Sequence, residues 1–129
     1  MEEGNQFYAT YAVTNKIYNS FIDIFGDNNS LHTNEDFAKE KKFTGKVMHG
    51  AILTGFLSHF IGEGLPIKNV LVQTYQLHFL KPVYLNDVLN FKATITGLFN
   101  SVNTIEFKFT FSLPDKVIVA KGKILISLI

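Results

Sequence analysis

The chain has 129 residues, 47% of them hydrophobic, which is enough for one domain with a packed core and too few for two. All 12 basic residues are lysines, set against 11 acidic residues, so the chain lacks both the positive charge and the arginine forks on which nucleic-acid binding depends. The absence of cysteine excludes a disulfide framework, a thiolate metal site and a cysteine nucleophile.

The N-terminal region begins with acidic and polar residues, Met1 to Asn5, which do not resemble a secretory signal or a transit peptide. No window approaches about 18 uninterrupted apolar residues, so we expect no membrane span. These features predict one soluble, cytoplasmic domain over residues 1–129.

Three short elements are predicted before residue 40. Alternating apolar residues from Phe7 to Val13 indicate a strand. Lys16 to Phe25 is amphipathic at helical spacing, and Gly26 is suited to end that helix. Asn34 is placed to cap a short helix that runs through Phe37 and Ala38.

The longest predicted helix runs from about Ala51 to Glu63 and is apolar on nearly every side. Its small residues form one stripe, made of Ala51, Gly55, Ser58 and Gly62. A helix without a polar face is expected to be buried, and a stripe of small residues lets a sheet or a ligand approach its backbone.

Four strands are predicted after this helix, at residues 70–79, 89–97, 104–113 and 117–128. Turn residues separate them, among them Pro82, Asn100 and Pro114. One strand, a helix-and-loop segment, a buried helix and four antiparallel strands predict an α+β protein. Its natural packing is a five-stranded curved antiparallel sheet wrapped around the central helix, which is the hotdog fold.

Polar chemistry concentrates in the segment before the central helix. Asp27 and His32 lie five residues apart across a loop, close enough to hold one water as an acid–base pair. Gly50 precedes the helix, where a free backbone N–H and the helix dipole can bind developing negative charge. Together these groups suit the addition of water to a conjugated carbonyl compound.

The sequence resembles the MaoC-like, (R)-specific enoyl-CoA hydratase family in three separated motifs. They are FGDNNSLH (25–32), FTGKVMHG (43–50) and FLKPV (79–83), within a resemblance that covers roughly residues 15 to 97. One departure is Ser30, which stands where the family usually has proline.

The resemblance implies the roles of individual residues. Asp27 and His32 match the catalytic pair that activates water, and Gly50 matches the oxyanion N–H. The residues expected to bind substrate or shape its site are Ser58, Asn29 and His49, of which His49 also suits a purely structural bond to the loop. No cofactor and no metal are implied, because CoA or pantetheine enters as part of the thioester substrate.

Three alternatives stay open at this point. The carrier can be CoA or acyl carrier protein, with Lys41, Lys42, Lys46 and Lys81 as candidates to bind its phosphates or acidic groups. The chain can also be a non-catalytic acyl-binding hotdog subunit, although it keeps both Asp27 and His32. A hydrolase triad is disfavoured because Ser58 lies inside a helix and no Gly-x-Ser-x-Gly motif is present.

The expected assembly is a homodimer. A single hotdog leaves an edge of its sheet unpaired, and joining two edges across a two-fold axis removes that liability. The family resemblance implies the same dimer, with acyl-thioester sites near the interface.

Overall fold

The computed structural model describes residues 1–129 and contains one antiparallel sheet that packs against a central helix. The five strands are β1 (Gln6–Ala12), β2 (Val70–Phe79), β3 (Val88–Phe99), β4 (Thr104–Ser112) and β5 (Ile118–Leu128), arranged in the order β1-β3-β4-β5-β2. The helices are α1 (Asn15–Phe25), α2 (Ser30–Thr33), α3 (Glu35–Glu40) and α4 (Ile52–His59). The predicted α+β class and hotdog architecture are confirmed by these elements and their order.

The core lies between the sheet and α4, and its centre is a layer of aromatic rings from β3 and β4. The alternation of apolar and polar residues places Phe91 opposite Phe111 and Ile95 opposite Phe107, with all four side chains buried. Phe60, just beyond α4, packs its ring 4.8 Å from that of Phe91. Each ring withdrawn from water contributes about 1.5–3 kcal/mol, so this layer is a main source of stability.

The central helix is covered on one side only. Leu53 and Leu57 are completely buried against the sheet, and a π-helical turn, Phe60–Gly64, continues the helix. The stripe of small residues stays exposed, and a Cβ added at Gly55 or Gly62 would contact nothing. The sheet therefore curves around one face of this helix, as expected for the hotdog fold, and leaves the face with the small residues open in the isolated chain.

The sheet is open and has two free edges, β1 and β2, whereas one free edge was expected from the sequence. β2 is the more exposed of the two, and apolar side chains such as Leu71 and Phe79 project from it with 60% and 57% exposure. No helix of the protein is long and apolar enough to cross a membrane.

Candidate active site

The loop after α1 is closed by short-range hydrogen bonds. Gly26 ends the helix with φ of 69°, a left-handed conformation that favours glycine. The Asp27 carboxylate then accepts a hydrogen bond of 3.2 Å from the N–H of Asn29, and the Asn29 side chain accepts one of 3.0 Å from the N–H of Leu31. Asn29 is thus the N-cap of α2, a helix not expected from the sequence, and α2 carries His32.

Ser30 occupies the first position of α2, directly after the cap. This is where proline is well tolerated in a helix, because its missing N–H would have no partner there. With Asn29 already capping the helix, serine at this position preserves the turn between Asp27 and His32.

A second segment, residues 47–50, packs against this loop. The buried hydroxyl of Tyr18 donates to the carbonyl oxygens of His32, at 2.6 Å, and of Val47, at 3.2 Å. The N–H of Val47 donates to Leu31 O at 3.0 Å, which completes the link. Burial raises the pKa of Tyr18, so its hydroxyl stays protonated and able to donate at neutral pH.

His32 is held in one tautomer. Its Nδ1 lies 2.6 Å from Val47 O, and because a carbonyl oxygen only accepts, Nδ1 carries the proton. In the neutral ring Nε2 therefore keeps a lone pair that can accept a proton. The carboxylate of Asp27, about half exposed, offers an oxygen within 4.8 Å of a ring nitrogen of His32.

His49 lies behind this pair and is 2% exposed. Its Nε2 donates to the backbone oxygen of Asp27 at 2.9 Å, and the same atom is 4.0 Å from the Asp27 carboxylate. Its ring stacks on that of His32 with centroids 3.9 Å apart and planes inclined by 27°. Its Nδ1 is buried and has no hydrogen-bond partner.

Gly50 presents an unused donor at the entrance to α4. The carbonyl oxygens of His49 and Gly50 accept from Ile52 and Leu53, each at 3.0 Å, so the chain already turns as a helix there. The N–H of Gly50 donates to no acceptor within the chain, as expected for the first turn of a helix. A Cβ at this position would lie 2.8 Å from the ring of Phe79, so a side chain would displace that ring.

Two cavities are lined by these residues, one by Asp27 and the other by His32 and Gly50. The larger, about 700 Å³, lies between α1 and α4, is mostly apolar, and has Asp27 on its wall together with Phe21, Thr54 and Gly55. The smaller, about 430 Å³, is lined by His32, Gly50, Phe79 and Lys81, among others. Both volumes fall in the range of small-molecule sites, about 300–1,000 Å³.

The remaining predicted residues are placed less centrally. Ser58 is exposed on the open stripe of α4, one turn beyond Thr54, and lines neither cavity. Of the four candidate lysines, Lys81 alone lines either of these two cavities, whereas Lys41 and Lys46 lie over the rings of Phe37 and Tyr18.

Two residues that fix the geometry of the site were not predicted from the sequence. They are Tyr18, whose hydroxyl bonds two loop carbonyls, and Val47, whose carbonyl orients His32. The sequence around Tyr18 indicated only that this residue lies on an amphipathic helix. The role of the Val47 carbonyl could not be predicted, because every residue has a backbone carbonyl.

Asp27, His32 and His49 also form a cluster in which three potential metal-ligand atoms lie within 4.8 Å of one another. An imidazole binds a metal ion in its own ring plane. Because the two rings are stacked and nearly parallel, their in-plane lone pairs do not converge on one point. This geometry does not suit the binding of one metal ion by both rings.

Comparisons with known proteins agree on one family. A family model described as "MaoC like domain" matches residues 1–115. An (R)-specific enoyl-CoA hydratase of Rhodospirillum rubrum is 30% identical over 99 residues, which are 77% of this chain and 69% of that protein. A 3-hydroxybutyryl-CoA dehydratase of Methylorubrum extorquens is 28% identical over 99 residues, 77% of this chain and 63% of that protein.

The fold is shared with solved structures of similar size. The structure named as the (R)-hydratase of A. caviae involved in PHA biosynthesis superposes with a TM-score of 0.90 and 21% identity, covering 100% of this chain and 98% of that one. At this identity the likeness establishes the fold.

Proposed function

Because the chain belongs to the MaoC-like domain family, as its motifs predicted, we propose that it is an (R)-specific enoyl-CoA hydratase. This hydro-lyase adds water to a trans-2-enoyl thioester and gives the (R)-3-hydroxyacyl thioester, reversibly. The observation that carries the proposal is the position of the Asp27 carboxylate beside the oriented imidazole of His32, with the free N–H of Gly50 on the wall of the adjoining cavity.

In the proposed reaction each group has a role. The Asp27 carboxylate accepts one O–H of the water and orients it, while Nε2 of His32 takes the proton from the other O–H. The water oxygen bonds to C3, the C2=C3 electron pair moves toward the thioester oxygen, and the N–H of Gly50 stabilises the negative charge there. His32 then returns its proton to C2, so that one water is added and both residues regain their starting state.

The two cavities suit the two arms of such a substrate. The apolar cavity beside Asp27 can hold the acyl chain, and the cavity beside Gly50 can hold the pantetheine arm, with Lys81 placed for a phosphate or an acidic carrier. The reacting carbons would then lie between Asp27 and His32.

The test is hydration of crotonyl-CoA by the purified protein, followed through the loss of the enoyl thioester absorbance. We expect turnover by the protein alone and a product of (R) configuration. A product of (S) configuration would contradict the family mechanism. No turnover by this protein alone, with activity restored by a second hotdog protein, would favour a non-catalytic acyl-binding subunit.

The carrier is decided by a paired measurement. The same acyl chain is presented on CoA and on acyl carrier protein, with wild type and with Lys81→Ala. We propose CoA as the carrier and expect the variant to raise KM for the CoA thioester. Preferred turnover of the acyl carrier protein thioester would instead assign a (3R)-hydroxyacyl-ACP dehydratase.

We further propose that the protein is a homodimer joined through β2. The free edge of β2 carries exposed apolar side chains. The stripe of small residues on α4 is also exposed in the isolated chain. Pairing two β2 edges would remove an exposed template for aggregation. Light scattering on wild type and Leu71→Glu tests this, with Tyr8→Glu on the β1 edge as the control, and we expect only Leu71→Glu to give a monomer.

The cytoplasmic location remains a prediction from the sequence. Fractionation of cells that express the protein, followed by detection in the membrane and soluble fractions, checks it.

A further inference from the structure

We propose that His49 is a positioning residue that fixes the catalytic pair by bonding the backbone of Asp27 and stacking on the ring of His32. The inference rests on the proposed function, because it concerns the same two side chains. From the sequence, His49 was expected either to bind substrate or to make a structural bond to the loop, and the proposal goes beyond the second expectation by giving that bond an effect on the reaction.

The hydrogen bond fixes the tautomer of His49. The backbone oxygen of Asp27 accepts only, so Nε2 of His49 carries the proton at 2.9 Å. In the neutral ring this leaves a lone pair on Nδ1, which is buried and without a partner. A buried polar atom in this state costs stability, and a phenyl ring of similar shape would avoid that cost. Packing alone therefore does not account for a histidine here.

Two requirements meet in the one side chain. The bond to Asp27 needs a donor at the far end of the ring, and the stack on His32 needs a flat ring, with centroids 3.9 Å apart. Phenylalanine supplies only the flat ring and glutamine only the donor. Histidine supplies both and leaves Nδ1 unpaired.

The surroundings keep His49 away from substrate. The rings of Phe21 and Tyr18 pack against it at 4.7 and 5.8 Å, and Lys46 lies on the Tyr18 ring at 5.7 Å. The ionisable side chains that face it directly are Asp27, His32 and Tyr18. His49 is 2% exposed and lines neither cavity, so it acts on the reaction only through the two residues that it holds.

The first experiment separates positioning from substrate contact and from packing. His49→Gln places an amide donor near the position of Nε2, His49→Phe keeps only the ring, and His49→Asn keeps neither. We expect kcat to fall about a hundredfold in His49→Asn and about tenfold in His49→Phe, and only a few-fold in His49→Gln, since small displacements of catalytic groups cost this much. KM should stay within about twofold throughout, at equal folded protein measured by circular dichroism.

Two outcomes would overturn the proposal. A raised KM with unchanged kcat would make His49 a substrate-binding residue. Equal kcat per folded molecule in wild type and His49→Asn, with only the melting temperature lowered, would leave it a packing role alone.

The second experiment needs no activity and no variant. Imidazole ¹⁵N spectra of the wild-type protein should show His49 protonated at Nε2 and His32 protonated at Nδ1. A proton on Nδ1 of His49 would refute the proposed bond even if the protein hydrates enoyl-CoA. Conversely, the expected tautomers in a protein without hydratase activity would leave the His49 geometry standing and remove the proposed function.

Discussion

Two regions of the molecule are stabilised by different interactions. One is the loop that carries Asp27 and His32, and the other is the aromatic layer of β3 and β4. The loop is exposed and is held by hydrogen bonds between near neighbours, such as those of Asn29. The layer is dry and is held by ring contacts such as that of Phe91 with Phe111, 5.1 Å apart. Stability and the proposed chemistry therefore depend on separate parts of the chain, so that a substitution should affect one without the other.

The largest expected effect is in the aromatic layer. Phe107 is completely buried and packs edge-on against Phe60, so Phe107→Ala removes a ring and leaves a cavity. We expect a loss of about 3–5 kcal/mol in the free energy of unfolding, measured by urea denaturation. Tyr8→Ala, an aromatic residue 69% exposed on β1, is the control and should change the free energy by less than about 0.5 kcal/mol. Similar losses in both variants would contradict a stability centred on this layer.

In the loop, the effect should appear in rate. Asp27→Asn removes the charge that orients the water, and we expect kcat for crotonyl-CoA hydration to fall by about a hundredfold or more with little change in unfolding free energy. Asp23→Asn, an exposed acidic residue one helical turn earlier, is the matched control and should retain wild-type kcat. Near wild-type kcat in Asp27→Asn would remove the assigned role.

A smaller effect, on both stability and kcat, is expected from loss of a helix cap. Asn29→Ala and Asn34→Ala each remove a helix cap, and each should cost about 0.5–2 kcal/mol of stability. Only the first cap supports the helix that carries His32, so only Asn29→Ala should also lower kcat. Equal kcat values for the two variants would show that α2 does not need its cap to place His32.

The smallest effect is an alkaline one. Burial raises the pKa of Tyr18 above 10.0, so as pH rises past about 10 the unfolded chain loses this proton before the folded chain does. The contribution of Tyr18 to the free energy of unfolding is therefore fully present below about pH 10 and is lost as pH rises toward the pKa of the folded state. Tyr11 and Tyr75, whose pKa values are also raised by burial, add to the same trend. Urea denaturation of wild type and Tyr18→Phe over this range should show a shallower decline in the variant, and identical slopes would contradict the assignment.

Much of the fold followed from local pattern. The strict alternation from Thr104 onward predicted β4 and its buried face, and the predicted strand at residues 70–79 coincides with β2. Helix α2 was missed because its four residues are too few to show a helical period, and its cap, Asn29, was expected to bind substrate or shape its site rather than to begin a helix. The stripe of small residues on α4 was predicted, but its exposure was not. The sequence indicates that a helix is apolar and does not indicate how much of its surface one sheet will cover.

The site divides in the same way. The sequence by itself determined which groups are candidates for the proposed chemistry, because Asp27, His32 and Gly50 lie in motifs whose spacing is fixed along the chain. Only the tertiary structure decided how these groups are held: Val47 O selects the tautomer of His32, and Tyr18 and His49 hold the loop in place. These partners lie 14 to 22 residues apart in the chain, and their contacts depend on how the elements pack. Packing is a property of the whole fold, and no local pattern of residues encodes it.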